Sequence, residues 1–299
     1  MRLYSFHLAI LAMLAFTQLA VAEDDSSRHK GLFVTANVQF TLCHELTHAL
    51  IATFDIPVLG REEAAADQIA TLCILYPETT SDRDPHAIEK LAAVADAWRI
   101  EWEMDKESGG TAYWDEHELD IQRYYNVLCM LYGSDPEEFE ALPDRIDLPW
   151  QRAWTCADHE YDRTIKAGQW LLETFGVPDE PAASRRGGQV RVFYDEPTES
   201  KQRAHKLLVE SAVFEHKSKL MNSIFDLPDD IAIVAADCLG DATAYWTDDQ
   251  REVVFCYDLV ERFVRLAEIR QCILGNGVAL NDRQPMDPER IGRCLIDGR

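Results

Sequence analysis

The sequence predicts a mostly helical α+β fold in which a small C-terminal sheet packs against helices. Three observations support this. In the first half, apolar residues recur at the spacing of a helix face, most clearly over residues 36–54. A stretch rich in Pro, Gly and Ser, residues 176–188, is then typical of a flexible connection. After it, short apolar runs with strand character alternate with helical segments, an order that favours the α+β class.

The first half is predicted to be a series of helices. The first helix ends where Pro57 and Gly60 interrupt its pattern, and the second is rich in Ala and stops at Pro77. The predicted ranges are 36–54, 62–76, 85–106, 118–132, 148–160 and 162–175.

The second half is predicted to supply the sheet. Two strand-like runs separated by residues 247–251 indicate a hairpin. Strands are expected at 189–194, 231–236, 243–246 and 252–256, and helices at 199–225 and 258–273. Residues 23–299 are therefore interpreted as one domain, with a helical half (23–176), an α/β half (189–273) and a C-terminal tail (274–299).

The N-terminus has the features of a secretory signal peptide, predicted over residues 1–22. Arg2 gives a basic start, an apolar run follows, and Ala20-Val21-Ala22 supplies small residues at a cleavage site before Glu23. An uncleaved membrane anchor is the alternative, although the run is short for a bilayer and acidic residues follow it at once. We therefore expect a periplasmic or secreted protein that is not held at the membrane after cleavage.

The charge of the chain excludes one class of partner. With 29 Lys and Arg against 53 Asp and Glu, the formal net charge is −24, and no basic stripe is evident. Such a surface repels nucleic acid. The excess of acid has two other readings, a preference for basic peptides or plain solubility, and the sequence leaves both open.

Eight cysteines lie beyond the predicted signal peptide, and an even number in an exported chain indicates disulfides. No two are spaced as CxxC, so neither a cysteine zinc site nor a redox motif is expected. Eight cysteines allow about a hundred complete pairings. The pairs we expect are Cys238–Cys256, which could close the hairpin, Cys129–Cys156, Cys272–Cys294 and, as the remainder, Cys43–Cys73.

The segment His44-Glu45-Leu46-Thr47-His48 carries the chemistry. His44 and His48 are four residues apart, so on a helix their imidazoles lie on one side and can bind one metal ion. Glu45 can reach a water molecule on that ion without binding the metal itself. This is the H-E-x-x-H arrangement of zinc peptidases, and here it falls on an amphipathic helix.

A catalytic zinc site needs a third protein ligand, and the next helix offers one. Glu63 and Asp67 are four residues apart on that helix, with small alanines between them that allow close packing. We expect Glu63 to be the ligand and Asp67 to accept the free N–H of one ligand histidine. Glu62 is the rival ligand, but an alanine, Ala66, takes the place of an acid one turn later.

These residues resemble a known family. H-E-L-T-H followed by a helix bearing E-x-x-A-D is similar to the gluzincin-type metallopeptidases, and the likeness extends to residues 57–63, 114–123 and 256–259 and to Cys238. Together they resemble bacterial metallopeptidases grouped as a domain of unknown function. The resemblance covers most of the mature chain and implies His44, His48 and Glu63 as zinc ligands and Glu45 as catalytic residue. It implies no particular substrate.

One feature departs from the usual zincin order. In typical zincins a small sheet precedes the H-E-x-x-H helix, and its edge strand holds the substrate. Here that helix follows the signal peptide, and strands come only at 189–257. We therefore expect a rearranged chain order, in which the C-terminal strands fold back beside the N-terminal helices.

Residues near Asp115-Glu116-His117 are a weaker candidate site. His117 could donate a hydrogen bond to the oxyanion formed during hydrolysis, or the group could be a helix-capping cluster with a structural histidine. Arg123, Tyr124 and Tyr125 could line the cleft or serve only in packing.

The function predicted is that of a peptidase with one Zn²⁺ per chain, acting on a peptide or protein, with Glu45 as general base. Two alternatives stay open. One is a zincin-like fold that binds metal or a partner without cutting, and the other is a disulfide-braced interaction module in which the motif is accidental.

Overall fold

The computed structural model describes residues 4–77, 82–108, 113–177 and 187–277, with Leu280 and Cys294. The predicted connection at 176–188 and the predicted tail at 274–299 therefore lie mostly outside the described residues. Helices in the first half are α1 (Tyr4–Phe54), α2 (Glu62–Leu75), α3 (Ala87–Ser108), α4 (Asp120–Ser134), α5 (Leu142–Arg145), α6 (Trp150–Thr155) and α7 (Asp162–Phe175), with a π-helical turn (Cys156–Tyr161) joining α6 to α7.

Helix α1 is much longer than the predicted 36–54. Its described residues are helical from Tyr4, and the stretch to Phe54 contains no Pro and one Gly, Gly31, that could interrupt a helix. It ends at Phe54, since Asp55 adopts a left-handed backbone with φ 50° and Pro57 follows. From Phe33 to Leu50 most of its residues are buried, and it contacts α2, α3, α9, α10, β3 and β4. It is therefore the central helix of the core.

The second half contains β1 (Val190–Tyr194), a 3-10 turn (Glu199–Lys201), α8 (Gln202–Ser211), α9 (Val213–Ile224), β2 (Ile231–Ala236), β3 (Ala244–Thr247), β4 (Glu252–Cys256) and α10 (Tyr257–Gly275). The single helix predicted over 199–225 is wrong. The chain breaks at Ala212, which has φ 50°. Ser211 explains the break, because its hydroxyl donates to the Leu208 carbonyl and accepts the Val213 N–H, replacing helical hydrogen bonds.

The four strands form one sheet in the order β1-β2-β4-β3. Strands β1, β2 and β4 are parallel, whereas β3 pairs antiparallel with β4, as the predicted hairpin requires. In β2, Ile231, Ile233 and Ala235 are buried and alternate with less buried residues, so one face of the sheet packs on the core. Among the described strands, β3 is an edge strand.

The sheet lies directly beside the H-E-x-x-H helix. Strands β3 and β4 both contact α1, and the Arg251 guanidinium donates to the Thr53 hydroxyl over 3.1 Å. Thr243 and Ala244, at the start of β3, line the same cavity as His44. The C-terminal strands thus fold back beside the N-terminal helices, as the rearranged chain order predicts, and the α+β prediction is confirmed.

Four disulfides join the pairs expected from the sequence: Cys43–Cys73, Cys129–Cys156, Cys238–Cys256 and Cys272–Cys294. The first ties α1 to α2. Fully paired cysteines fit an extracellular or periplasmic protein. Within the described residues, no helix combines the length and apolar character that a membrane crossing needs. Cleavage after Ala22 stays a prediction, which N-terminal sequencing of the exported chain would check.

Candidate metal centre

Two histidines on α1 face helix α2. His44 and His48 lie one helical turn apart, their rings meet edge to face, and their Nε2 atoms are 3.1 Å apart. His44 is buried and His48 is partly buried. The two nitrogens therefore point to one place between the helices.

Glu63, in the first turn of α2, brings a carboxylate oxygen to the same place. Its Oε2 lies 3.0 Å from Nε2 of His44 and 3.5 Å from Nε2 of His48. A tetrahedral zinc ion with ligand bonds of about 2.0–2.2 Å separates neighbouring ligand atoms by about 3.3–3.6 Å. The three contacts are close to those separations, so the donor set fits a metal ion. Within the part of the chain that the structure describes, no other group of His, Cys, Asp and Glu brings ligand atoms together in this way.

Carboxylates hold the far side of both imidazoles. Asp67 Oδ1 lies 2.8 Å from Nδ1 of His44, and Glu62 Oε1 lies 2.7 Å from Nδ1 of His48. When each Nδ1–H donates to its carboxylate, each neutral ring presents the lone pair of Nε2 to the space between the helices. This is the tautomer that a metal requires.

Asp67 is itself held by Arg123. The guanidinium donates from Nε to Oδ2 over 2.7 Å and from Nη2 to Oδ1 over 2.6 Å, and it stacks 3.6 Å from the centre of the Trp98 ring. Burial raises the pKa of Asp67, but the Arg123 charge and the His44 hydrogen bond outweigh it and lower the pKa to about 2. Asp67 is therefore a fixed anion behind His44.

Without a metal, the acids around the histidines favour imidazolium. Burial lowers the pKa of His48, yet hydrogen bonds to Glu63 and Glu62 overcome it and raise the pKa to about 9. The pKa of His44 is also raised, because hydrogen bonds to Asp67 and Glu63 outweigh its burial. The pKa of Glu63 is lowered, since three histidines offset the effect of burial. Metal binding here must displace protons.

Glu45 differs from the acids around it. Its side chain is 7% exposed, yet no described residue donates a hydrogen bond to its carboxylate or forms an ion pair with it. Burial raises its pKa, although the neighbouring His44 and His48 oppose the shift. It lines, together with His44, a cavity of about 540 Å³. A buried carboxylate that lines a cavity beside a candidate metal-binding group can exchange protons with a molecule bound there.

His117 reaches the centre from the loop before α4. Its Nε2 lies 2.9 Å from Glu63 Oε2, and its Nδ1 lies 3.0 Å from Asp115 Oδ1. The hydrogen bond to Glu63 raises its pKa. Asp115 also accepts the backbone N–H of His117, so the local cap that was the alternative reading exists as well. The side chain nonetheless faces the metal-binding group and lines the cavity.

The structure therefore brings together all the predicted site residues: His44, Glu45, His48, Glu63, Asp67 and His117. Sequence reasoning did not anticipate that Glu62 would hold His48, and it left the place of Arg123 open. A buried Asp beside a histidine requires a cation, but nothing in the spacing indicates which arginine supplies it. Tyr124 is buried in the core and does not line the cavity.

Comparison with protein families finds one match. The model of a family described as "Putative metallopeptidase" matches residues 8–172 and 194–272, which is more than half of the chain. Searches of curated proteins and of solved structures find no match. Both matched ranges contribute to the site, since the first contains His44, Glu45, His48, Glu63 and His117 and the second contains strand β3. The chain therefore belongs to this metallopeptidase family.

Proposed function

We propose that the protein is a zinc-dependent peptidase in which His44, His48 and Glu63 bind the metal. One observation carries the proposal: three ligand atoms lie 3.0–3.5 Å from one another beside the buried, unpaired carboxylate of Glu45. Two imidazoles and one carboxylate suit zinc, and three protein ligands leave a coordination position open. When bound, zinc lowers the pKa of a water molecule and polarises a carbonyl group.

Glu45 is the general base in this proposal. Its carboxylate takes a proton from the attacking water and delivers it to the amine that leaves when the peptide bond breaks. Two features support this role. Burial raises its pKa, and the lack of a hydrogen-bond donor among the described residues leaves its oxygens free to accept and release the proton.

His117 donates a hydrogen bond to the oxyanion that develops on the scissile carbonyl. Its raised pKa favours the protonated ring, and Asp115 holds Nδ1 so that Nε2 points towards the centre. Asp67 and Glu62 act through the ligand histidines, because each keeps one ring in the metal-binding tautomer.

The substrate is a peptide or protein that binds along β3. This strand is an edge of the sheet, and its first residue, Ala244, lines the cavity. An extended peptide can pair with such an edge and present a bond to the cavity.

The first experiment is the metal content of the purified chain, measured by mass spectrometry beside a Glu63→Ala variant. We expect about one zinc per chain in wild type and its loss in the variant. Glu116→Gln, which changes an exposed acid of the neighbouring loop, is the matched control and should retain the metal. If wild type binds no zinc even when zinc is supplied, the interaction module replaces the peptidase. Zinc without cleavage of any peptide would indicate the inactive zincin-like fold.

A further inference from the structure

A second cavity lies on the opposite side of α1 from the metal centre. Its volume is about 600 Å³, which is within the range of pockets that bind small molecules. Helices α1, α2, α7 and α9 form its walls, and most of the side chains that line it are aliphatic or aromatic. They include Leu46, Leu50, Leu72, Ile165, Leu171 and Met221. We call this space the apolar cavity.

Lys217, on α9, is the one formally charged residue among those described that line the apolar cavity. It is 3% exposed, and its Nζ donates to the Cys73 carbonyl over 3.3 Å. The described residues accept no other hydrogen bond from this ammonium group. Because an ammonium group has three N–H donors, two of them remain for an acceptor bound in the cavity.

The Cys73 carbonyl is a weak partner for a cation. It also accepts a hydrogen bond from the Gln39 side chain over 3.3 Å. It is available to both because Pro77, four residues further along α2, has no N–H to complete the helical hydrogen bond. A neutral carbonyl shared by two donors does not balance the charge of a buried ammonium group.

Asp84 is the acid whose charge acts on Lys217, but its carboxylate serves other groups. It accepts from Lys90 Nζ over 2.6 Å and from the backbone N–H of His86 over 2.7 Å. Burial and the charge of Lys90 outweigh the effect of Asp84 and lower the pKa of Lys217 to about 8. At neutral pH the amine is therefore mostly a cation, and no described carboxylate forms an ion pair with it.

The hydroxyl groups of the lining have partners within the protein. Those of Tyr76 and Tyr161 are hydrogen-bonded to each other, and that of Thr47 donates to the Cys43 carbonyl over 2.8 Å. The cavity therefore offers an occupant an extended apolar wall and one cation with free donors.

We propose that the apolar cavity binds a fatty-acid anion, whose carboxylate pairs with Lys217 and whose alkyl chain packs against the leucines of α1, α2 and α7. Such a molecule supplies the anion that the described residues do not, and its chain brings no polar group that the lining would leave unpaired. The proposal does not depend on the peptidase function, because none of the residues assigned to the metal centre lines this cavity.

The test compares decanoate with decanol, which has the same number of carbon atoms but no charge. Binding to the purified chain is measured by calorimetry at neutral pH, at ligand concentrations below those at which either compound aggregates. We expect decanoate to bind about tenfold more tightly, because charge-assisted hydrogen bonds from the ammonium group stabilise the carboxylate.

Lys217→Met tests the partner of the carboxylate. Methionine keeps much of the apolar stem and removes the charge, so the variant should lose the preference for decanoate while decanol still binds. Lys219→Met, which replaces an exposed lysine of the same helix, is the matched control and should keep the preference.

Gly168→Leu tests the place of the alkyl chain. Gly168 lines the cavity from α7, and a Cβ added there would lie 3.6 Å from Leu72 Cδ1, an ordinary contact. A leucine side chain would therefore occupy part of the cavity, and binding of both ligands should weaken about tenfold. Ala167→Leu, at an exposed neighbouring position, is the matched control and should bind both as wild type does. Thermal unfolding checks that all four variants are folded.

The outcomes decide the proposal without reference to zinc or hydrolysis. Equal affinity of wild type for the two ligands, or no binding of decanoate, overturns it. A preference for decanoate that persists in Lys217→Met also overturns it, as does decanoate binding that Gly168→Leu leaves unchanged. Loss of the preference in Lys217→Met but not in Lys219→Met, with weaker binding of both ligands in Gly168→Leu, supports it.

Discussion

Helix α1 separates two cavities of similar size and opposite character. The first, about 540 Å³, is lined by His44, Glu45 and five other acidic residues, which belong to α3, α4 and the loop before α4. The second, about 600 Å³, lies on the far side of the helix. Leu46 and Leu50 of α1 line the second cavity together with apolar residues of α2, α7 and α9. Its one formally charged lining residue among those described is Lys217. The cavities are similar in size, but they differ in the polarity of their linings and in how the charged side chains near them are paired.

The two sides differ in how buried charges are satisfied. Asp67 on the first side has both Arg123 and His44. Lys217 on the second side is 3% exposed and donates to the Cys73 carbonyl over 3.3 Å, and burial lowers its pKa to about 8. A network of opposite charges is what a reactive site requires. A buried amine that donates to one carbonyl, and whose burial the charge of Asp84 offsets only in part, is a cost to stability.

The largest expected effect is a loss of hydrolysis caused by a change in the first cavity alone. Glu45→Gln should lower peptide hydrolysis about 10³-fold, because it removes the general base and keeps nearly the same volume. Zinc content and thermal stability should stay close to wild type, since no described residue donates a hydrogen bond to the carboxylate or forms an ion pair with it. The measurements are steady-state kinetics on a peptide and metal analysis. A variant that cleaves as fast as wild type would be incompatible with this role of Glu45.

The next effect concerns the disulfide that joins the two sides. Cys43 follows Leu42 on α1 and precedes His44, and its bond to Cys73 ties α1 to the helix of Glu63 while lining the apolar cavity. Replacing both cysteines by Ser should lower the free energy of unfolding by about 3–4 kcal/mol, as expected for a loop of this length. Zinc affinity should fall about tenfold, because the ligands of α1 and α2 lose their fixed separation.

Urea denaturation and zinc titration measure the two quantities. The double Ser replacement of Cys238 and Cys256 is the matched control. It should cost about 3 kcal/mol but leave zinc affinity unchanged, because that disulfide does not join α1 to α2. Equal loss of zinc affinity in both variants would show that the effect is general destabilisation.

The smallest expected effect is on stability and concerns Lys217, which lines the apolar cavity. Because the pKa of Lys217 falls from 10.5 in the unfolded chain to about 8 in the folded protein, the unfolded state binds more protons between these values. Stability should therefore rise with pH through this window, and Lys217→Met should stabilise the protein by about 3 kcal/mol at neutral pH. Zinc content should not change.

Urea denaturation at pH 6.5 and pH 9 checks this prediction. Lys219→Met, which replaces an exposed lysine of the same helix, is the matched control and should leave both the stability and its pH dependence as in wild type. A Lys217→Met protein that is less stable at neutral pH would show that the amine has a partner that compensates for its burial.

Local patterns predicted the helices and strands well where one periodicity ran without interruption. Strand β2 has the predicted bounds of 231–236, and α7 has the predicted bounds of 162–175. The failures lie where local chemistry competes with periodicity. Ser211 breaks the long helix predicted over 199–225, and residues 4–35 continue α1 because they contain no Pro.

The sequence by itself determined that His44 and His48 share a helix face and that Glu63 and Asp67 share another. These are properties of a regular helix, and they need no knowledge of the rest of the chain. Only the tertiary structure decided that the two faces meet with their nitrogen and oxygen atoms 3.0–3.5 Å apart, that Arg123 holds Asp67 and Glu62 holds His48, and that strand β3 lies beside α1. Contacts between residues distant in the chain depend on how helices pack, and no local spacing encodes that packing.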